Sequence, residues 1–332
     1  KETLGDEVHW RTAGELSEAH IPDNLQTLLT ARIDRLDEAA RRTLQLASVI
    51  GRSFYYRVLE TIHETAAQDT ADLDGELITL QRKELIRQQA RLPEPEYLFR
   101  HALTQAAAYS TILIRERRVF HRRVGEAIEQ LFAERLEDFY PVLAHHFGQA
   151  DDRRAKRYER LAGDAAFRLF AIPQALDHYS TALELTRLAE QRAGDSLRRD
   201  EPAGNSPETI IHLFLRRGRC LELQSDYAAA QQNYAELQTL ARERENPQML
   251  LAALVDGAAA YAIPSPAQDA EKGEVLAAEA LALAREIGNQ RAEAKLLWVF
   301  LLLKAYAGSM PEGIPYGEQS VELARRLGTV SY

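Results

Sequence analysis

The chain has little of what several classes of protein require. A single cysteine, Cys220, excludes a disulfide framework and a cysteine-rich metal site. The longest apolar run, Leu296 to Leu303, is far shorter than the ~20 residues that a membrane-spanning helix needs. The first ten residues lack the apolar core of a signal peptide. These absences predict a cytoplasmic protein with no membrane partner.

Residues that interrupt helices are also scarce, with 17 glycines and 12 prolines among 332 residues. Alanine and leucine, which favour helices, number 51 and 46. This composition excludes an all-β fold and predicts a mostly α-helical protein. The formal net charge of −9 disfavours broad nucleic-acid binding, which needs a basic surface. Because the sequence starts without methionine and stops soon after a helical pattern, we expect it to be a piece of a longer protein.

The first hundred residues have the pattern of a winged-helix domain. Residues 1–20 are polar and predict the tail of a preceding domain, with a short strand at 7–12. Apolar residues at three- and four-residue spacing then predict helices over about 22–36, 37–50, 55–63 and 72–86. Two β-prone pieces, 86–89 and 97–100, flank a proline-containing turn and predict a small hairpin wing. The winged-helix domain therefore spans 21–100, and a helical connector follows over 101–150.

The predicted fourth helix occupies the place of a DNA-recognition helix, so its charge is informative. Its acidic residues are Asp72, Asp74, Glu76 and Glu84, and its basic residues are Arg82, Lys83 and Arg87. A phosphate-binding surface must be cationic, and this one is not. We therefore predict a winged helix that packs against protein rather than DNA.

Residues 151–332 show an internal repeat of the tetratricopeptide (TPR) type, in which a pair of antiparallel helices recurs about every 34 residues. Small residues let the helices approach where they cross, and a large residue fills the space beside the crossing. Four units can be assigned, each marked by four residues at these positions. The marker residues are Gly163, Ala175, Tyr179 and Ala182; Gly218, Ala230, Tyr234 and Leu237; Gly257, Ala277, Leu281 and Ala284; and Ala305, Gly317, Val321 and Ala324. They predict a TPR-like α-solenoid of about four units, truncated at its C-terminal end. An eight-residue insertion is expected near Pro264, and a loop insertion over 193–207.

Several phrases together resemble the segment that follows the ATPase core of bacterial STAND-type signalling ATPases. This family includes the MalT-like LuxR regulators and the cyclase–ATPase–TPR proteins. The phrases are Ile21–Leu36, Leu46–Phe54, Phe99–Gln105 and Leu143–Phe147. The resemblance covers about residues 20–190, and the remainder matches only as generic repeats.

The resemblance implies a regulatory sensor and relay function. The winged helix would clamp a nucleotide-binding core upstream of this chain, and the repeats would bind a protein or ligand that opens it. His101 would reach the bound nucleotide diphosphate, although Ala102 stands where the related Met-His-Asp motif has aspartate. No cofactor is expected in this chain itself, because ATP or ADP would occupy the neighbouring domain.

The repeat phase also assigns a partner-binding groove, because five positions of each first helix usually line the concave side of a TPR array. The predicted residues are Arg157, Arg160, Phe167, Arg168, His212, Leu215, Arg219, Glu222, Leu254, Tyr261, Leu302 and Tyr306. The near end is basic and the far end is apolar and aromatic, which suits an extended peptide or a partner helix. The apolar end would equally suit stacking on further repeats.

A basic run precedes the repeats and could form a docking patch. It comprises Arg115, Arg117, Arg118, Arg122 and Arg123. A solvated helix face is the ordinary explanation of such a run. The functional alternative is docking to an acidic face of the ATPase core.

Motifs for catalysis and metal binding are missing. None of the six lysines follows a glycine, so the phosphate loop Gly-x-x-x-x-Gly-Lys-Ser/Thr is absent and we expect no ATP hydrolysis by this chain. Adjacent His145 and His146 diverge by about 100° on a helix, which predicts core or capping histidines rather than shared metal ligands. Two other functions stay open: a stand-alone TPR scaffold for protein–protein interaction, and a DNA-binding transcriptional regulator. Homo-oligomerisation stays open as well.

Overall fold

A computed structural model describes residues 23–64, 72–90, 94–195 and 206–328. The predicted strand at 7–12, and the first two residues of the phrase Ile21–Leu36, lie outside these ranges. The chain divides into two compact units, Lys1–Tyr158 and Glu159–Tyr332, which we call unit 1 and unit 2. Across the described ranges, every helix falls short of the length or hydrophobicity that crossing a bilayer demands.

Unit 1 consists of helices with one small sheet. Its elements are α1 (Asp23–Asp34), α2 (Glu38–Ile50), β1 (Ser53–Tyr55), α3 (Tyr56–Glu64), α4 (Leu73–Arg82), β2 (Ile86–Ala90), β3 (Glu96–Phe99), α5 (Ala102–Ser110), α6 (Ile114–Leu131), a 3-10 helix (Ala133–Phe139) and α7 (Tyr140–Gln149). Asp37 caps α2 as its sequence position predicts, accepting a 2.8 Å hydrogen bond from the Ala40 backbone. The predicted connector, 101–150, lies within unit 1 together with the helices that precede it.

The sheet has one more strand than the sequence predicted. β2 and β3 form the expected antiparallel hairpin, and β1 pairs with the other edge of β3, giving the order β1-β3-β2. Phe54 of β1 lies opposite Tyr97, and Ile86 of β2 lies opposite Phe99. Phe54 and Phe99 are fully buried, so the added strand closes the core over the hairpin.

Unit 2 is a run of helix pairs, and the mostly α-helical, TPR-like fold class is confirmed. The helices are α8 (Arg154–Arg168), which the unit boundary crosses, α9 (Ile172–Asp195), α10 (Pro207–Leu223), α11 (Tyr227–Glu243), α12 (Pro247–Ala262), α13 (Ala270–Glu286), α14 (Gln290–Tyr306) and α15 (Met310–Arg326). The predicted loop insertion begins later than 193, because α9 continues to Asp195.

The first two pairs pack as the repeat pattern predicts. A Cβ atom added to Gly163 would lie 2.8 Å from the ring of Tyr179, and one added to Gly218 would overlap the ring of Tyr234. Ala175 and Tyr179 are completely buried. Each glycine therefore makes room for the aromatic ring of the paired helix.

The predicted phase of the last two pairs is wrong by one helical turn in three of their four helices. Gly273 and Gly313 are the fourth residues of α13 and α15, as Ala230 is of α11, so they hold the crossing position predicted for Ala277 and Gly317. A Cβ on Gly273 would meet Leu303, and one on Gly313 would meet Leu301. In α14 the residue equivalent to Gly218 of α10 is Leu301 rather than Ala305, since each is the twelfth residue of its helix. The insertion between α12 and α13 is consequently four residues long, not eight.

Candidate functional site

His101 lies at the junction between β3 and α5. It is exposed and occupies the N-cap position with extended backbone (φ −131°, ψ 137°), but its side chain makes no capping hydrogen bond. The residue before it, Arg100, forms an exposed ion pair with Glu84 at 2.8 Å. The imidazole of His101 thus lies at a strand–helix junction and faces solvent.

A buried polar network holds the helices beneath this junction. Glu76 of α4 accepts hydrogen bonds from Thr43 of α2 and from His63 of α3, the latter at 2.9 Å. Gln105, one turn after His101, donates to the Ser48 backbone carbonyl at 3.0 Å, and its own carbonyl oxygen is buried without a partner. These bonds fix α2, α3, α4 and α5 relative to one another.

Histidines from two helices meet in the core of unit 1, and sequence analysis missed this cluster. His121 of α6 approaches His146 of α7 with 2.9 Å between their Nδ1 atoms. The hydroxyl of Tyr109 lies 3.0 Å from His121 Nε2, and the ring of His145 is 5.7 Å from that of His121. Burial lowers the pKa of His121 to about 3, with further lowering from His145 and Arg117. Burial also lowers the pKa of His146 far below its usual value.

The contacts of this histidine cluster define one arrangement of protons. His146 hydrogen-bonds the Ile50 backbone in a way that stabilises its protonated form, so it donates to the carbonyl there. Because Nδ1 of His146 faces His121, the proton donated to Ile50 is on Nε2. His146 Nδ1 therefore accepts from His121 Nδ1. His121 Nε2 is then unprotonated and accepts from the Tyr109 hydroxyl. Both imidazoles are neutral and every hydrogen bond has one donor and one acceptor.

The carboxylate of Asp164 joins two of the predicted groove residues, Arg160 of α8 and His212 of α10. It accepts from His212 Nε2 and the Tyr179 hydroxyl, both at 2.8 Å, and from Arg160 at 3.2 Å. Burial raises the pKa of Asp164, but the hydrogen bonds from His212 and Tyr179 outweigh it and lower the pKa overall. Because Arg160 is bound to Asp164, this end of the groove is less basic than its arginines suggest.

The other predicted groove residues differ in exposure. Arg157 and Arg168 are exposed, and Phe167 lies under the Arg216 guanidinium at 4.9 Å. Arg219 pairs with Glu222 at 2.8 Å, and Glu222 also accepts from Tyr234. Three further residues are half-buried, namely Leu215, Tyr261 and Leu302, and Tyr306 is exposed. The last predicted groove residue, Leu254, is buried.

Leu254 needs a correction, because it is completely buried. It lies in a core cluster with Leu296 and Val299 of α14, the next first helix along the chain. It therefore cannot line an open groove. Counted from the helix starts, Leu297 of α14 holds the same repeat position, and it is buried as well.

The arginines of the predicted basic patch on α6 differ in their contacts and exposure. Arg117 packs on the ring of Tyr109 at 4.5 Å and donates to two backbone carbonyls, those of Ile112 and Ser110. Arg122 pairs with Asp152 at 3.3 Å. Arg115 and Arg118 are exposed and Arg123 is half-buried.

Sequence analysis also missed a cation that organises this region. Arg154 binds Asp152, Glu126 and Glu129 at 2.8–2.9 Å, and its guanidinium lies 4.0 Å from the centre of the Phe147 ring. No group of three or more histidine, cysteine or acidic side chains in the described ranges is arranged to hold a metal ion. Cys220 is buried in the core of unit 2, where burial raises its thiol pKa to about 11.

No protein-family model matches the chain, and no curated protein sequence does. Among solved structures, it is similar to aspartyl phosphate phosphatase F from Bacillus subtilis, with 12% identity and a TM-score of 0.45 over 93% of this chain and 70% of that one. It is also similar to a STAND protein with a tetratricopeptide repeat sensor from Pyrococcus horikoshii, with 12% identity and a TM-score of 0.39. That match covers 95% of this chain, which spans about half (48%) of the Pyrococcus protein.

Proposed function

We propose that this chain is the sensor and relay region of a STAND-type signalling ATPase. Unit 1 acts as a winged helix that contacts a nucleotide-binding core outside the chain. Unit 2 binds a protein or peptide through its TPR groove and relieves that contact. ATP or ADP belongs to the core, and this chain supplies no catalytic residue.

The observation that carries the proposal is the placement of His101. The phrase Phe99–Gln105 resembles the family's sensing motif, and its histidine is exposed at the end of a buried strand. An imidazole that is not needed to cap α5 is available to a ligand on a neighbouring domain. The helices α2–α4 followed by the β2–β3 hairpin support the winged-helix interpretation.

The surface of α4 and its flanking residues supports a protein partner over DNA, although less strongly than its sequence suggested. Glu76, counted among its acids, is buried and paired with His63. Asp72, Asp74 and Glu84 remain exposed, as do Arg82, Lys83 and Arg87. This balanced surface lacks the excess of cations that phosphate contact requires.

The test uses the full-length gene product that contains this chain. We expect His101→Ala to speed ADP release and raise basal ATP hydrolysis, because the imidazole no longer holds the closed state. Its thermal unfolding should stay unchanged, since the side chain is exposed. Gln149→Ala, an exposed substitution on α7 of the same unit, is the control. Wild-type ADP retention in His101→Ala would contradict the sensing role, and a gene product without an ATPase core would favour the stand-alone scaffold.

A further inference from the structure

One side of the last described helix pair is apolar and exposed. This α14–α15 face consists of Trp298, Leu301, Met310, Ile314, Gly317 and Val321, which line a groove of about 660 Å³. Trp298, Met310, Ile314 and Val321 are 49%, 52%, 49% and 44% exposed. Soluble monomers rarely leave large residues together in this way, and such a patch commonly marks an interface.

The opposite side of α14 is buried within the molecule. Leu296, Val299 and Leu303 are buried against the preceding pair. Because α14 is apolar on two sides, one covered and one exposed, it has the character of a helix that is buried all round.

The equivalent face of the preceding pair shows what such a surface binds. Counted from the helix starts, Trp298, Gly317 and Val321 occupy the repeat positions of Val255, Ala277 and Leu281. Those three residues pack in one cluster with α14, and Val255 and Ala277 are buried there. The α14–α15 face thus continues an established helix-stacking interface, and its occupant is a helix of the same kind.

The charges around the face identify the source of that helix. Two carboxylates, Glu318 and Glu322, and one cation, Arg325, line the same groove on α15. Arg325 lies four residues after Val321 and Glu318 lies three residues before it. Two copies of α15 that cross antiparallel near Val321 would each place Arg325 beside Glu318 of the second copy, as a two-fold axis requires. We propose that the α14–α15 face binds the same face of a second copy of this chain, forming a symmetric dimer.

Sedimentation equilibrium of the chain over a wide concentration range measures this dimer directly. Ile314→Glu should raise its dissociation constant at least tenfold, because a charge then enters the apolar centre of the interface twice. Val275→Glu is the matched control, since Val275 is 63% exposed on α13 but lies outside the face. A chain that stays monomeric throughout, or a dimer that Ile314→Glu does not weaken, would overturn the proposal.

A charge swap separates a second copy from any other occupant. Arg325→Glu and Glu318→Arg should each weaken the dimer, since like charges then meet, and the double variant should recover most of the wild-type affinity. Both residues are exposed, so these variants should fold. Failure of the double variant to recover, with either single variant weakened, would reject the antiparallel pairing.

Trp298 provides a local readout of the same interface. In a Trp10→Phe background it is the only tryptophan, because the chain has two. Its quenching by acrylamide should fall as dimer forms, and should not change with concentration in Ile314→Glu. Dimerisation that leaves the acrylamide quenching of Trp298 unchanged would place the interface elsewhere and contradict the proposal.

Discussion

Unit 1 and unit 2 bury different kinds of side chain. Among the described residues, the buried histidines and carboxylates all lie in unit 1: His63, Glu76, His121 and His146. The buried polar side chains of unit 2 are neutral: Thr186, Asn233, Gln238 and Ser320. Unit 1 therefore depends on hydrogen-bonded networks of titratable groups, and unit 2 depends on the fit of small residues against large ones.

This difference determines what each unit tolerates. A buried polar network requires each member in one protonation state, because an unpaired or newly charged group is costly in the core. The steric fit of a glycine against an aromatic ring does not itself depend on pH, but it leaves no room for added volume. We therefore expect acid to disturb unit 1 first and small increases in side-chain size to disturb unit 2.

The largest effect should come from acidification of unit 1. His121 and His146 have pKa values below the ordinary 6.5 in the folded state, so the unfolded chain binds more protons below pH 6.5. Stability is full above pH 6.5 and is lost as the pH falls towards about 3. Each histidine costs about 1.4 kcal/mol per pH unit in that window, so the pair costs about 4 kcal/mol by pH 5.

Urea denaturation at several pH values, followed by circular dichroism and by Trp298 fluorescence, separates the two units. The transition of unit 1 should move to lower urea by pH 5, while that of unit 2, reported by Trp298 in a Trp10→Phe background, should move far less. His101→Gln is the control and should show the same pH profile, because His101 is exposed. Titration of either buried histidine above pH 6 by NMR would contradict the assignment.

The next largest effect should come from one added methyl group in unit 2. In Gly218→Ala the new Cβ would overlap the ring of Tyr234, which cannot swing away because its hydroxyl is bonded to Glu222 at 2.8 Å. We expect a loss of about 3 kcal/mol in the free energy of unfolding, at the upper end of overpacking effects.

Gly148→Ala is the matched control for this substitution. A Cβ on Gly148 would meet nothing within 4 Å, so alanine should stabilise α7 by about 0.5–1 kcal/mol. Adding Tyr234→Leu to Gly218→Ala should recover part of the loss, because it removes the ring atoms that clash. Equal destabilisation by the two alanine variants would mean that the crossing is not tightly packed.

Periodicity was sufficient to predict most helices, the hairpin and the repeats, because amphipathic spacing is a local property of the sequence. It could not settle the phase of the last two pairs. Gly273 and Ala277, and Gly313 and Gly317, are small residues four apart on one helix face. A shift of one turn therefore preserves the pattern, and only the observed start of each helix decides the phase. Strand β1 was missed because three residues are too short to show alternation.

The polar sites were less predictable for a different reason. His121 and His146 lie on separate helices, and no spacing rule relates them. Glu76 counts as a surface acid in the sequence, yet it is buried because Thr43 and His63 donate to it. Leu254 fits a groove position, but α14 covers it. Each of these depends on tertiary packing, which the sequence pattern of a single helix does not contain.

The smallest effect should come from the turn between α8 and α9, where a large side chain of unit 2 is exposed instead of packed. Phe170 has a left-handed backbone (φ +56°), and its side chain is 81% exposed, whereas the corresponding turn of the last pair has Gly308 (φ +80°). Phe170→Gly should therefore stabilise the chain by about 0.5–1 kcal/mol, since glycine adopts this conformation without strain. Phe170→Ala keeps the strain and removes the ring, so it should change the urea midpoint little. A lower midpoint in both variants would show that the exposed ring makes a stabilising contact, and that this turn is packed like the rest of the unit.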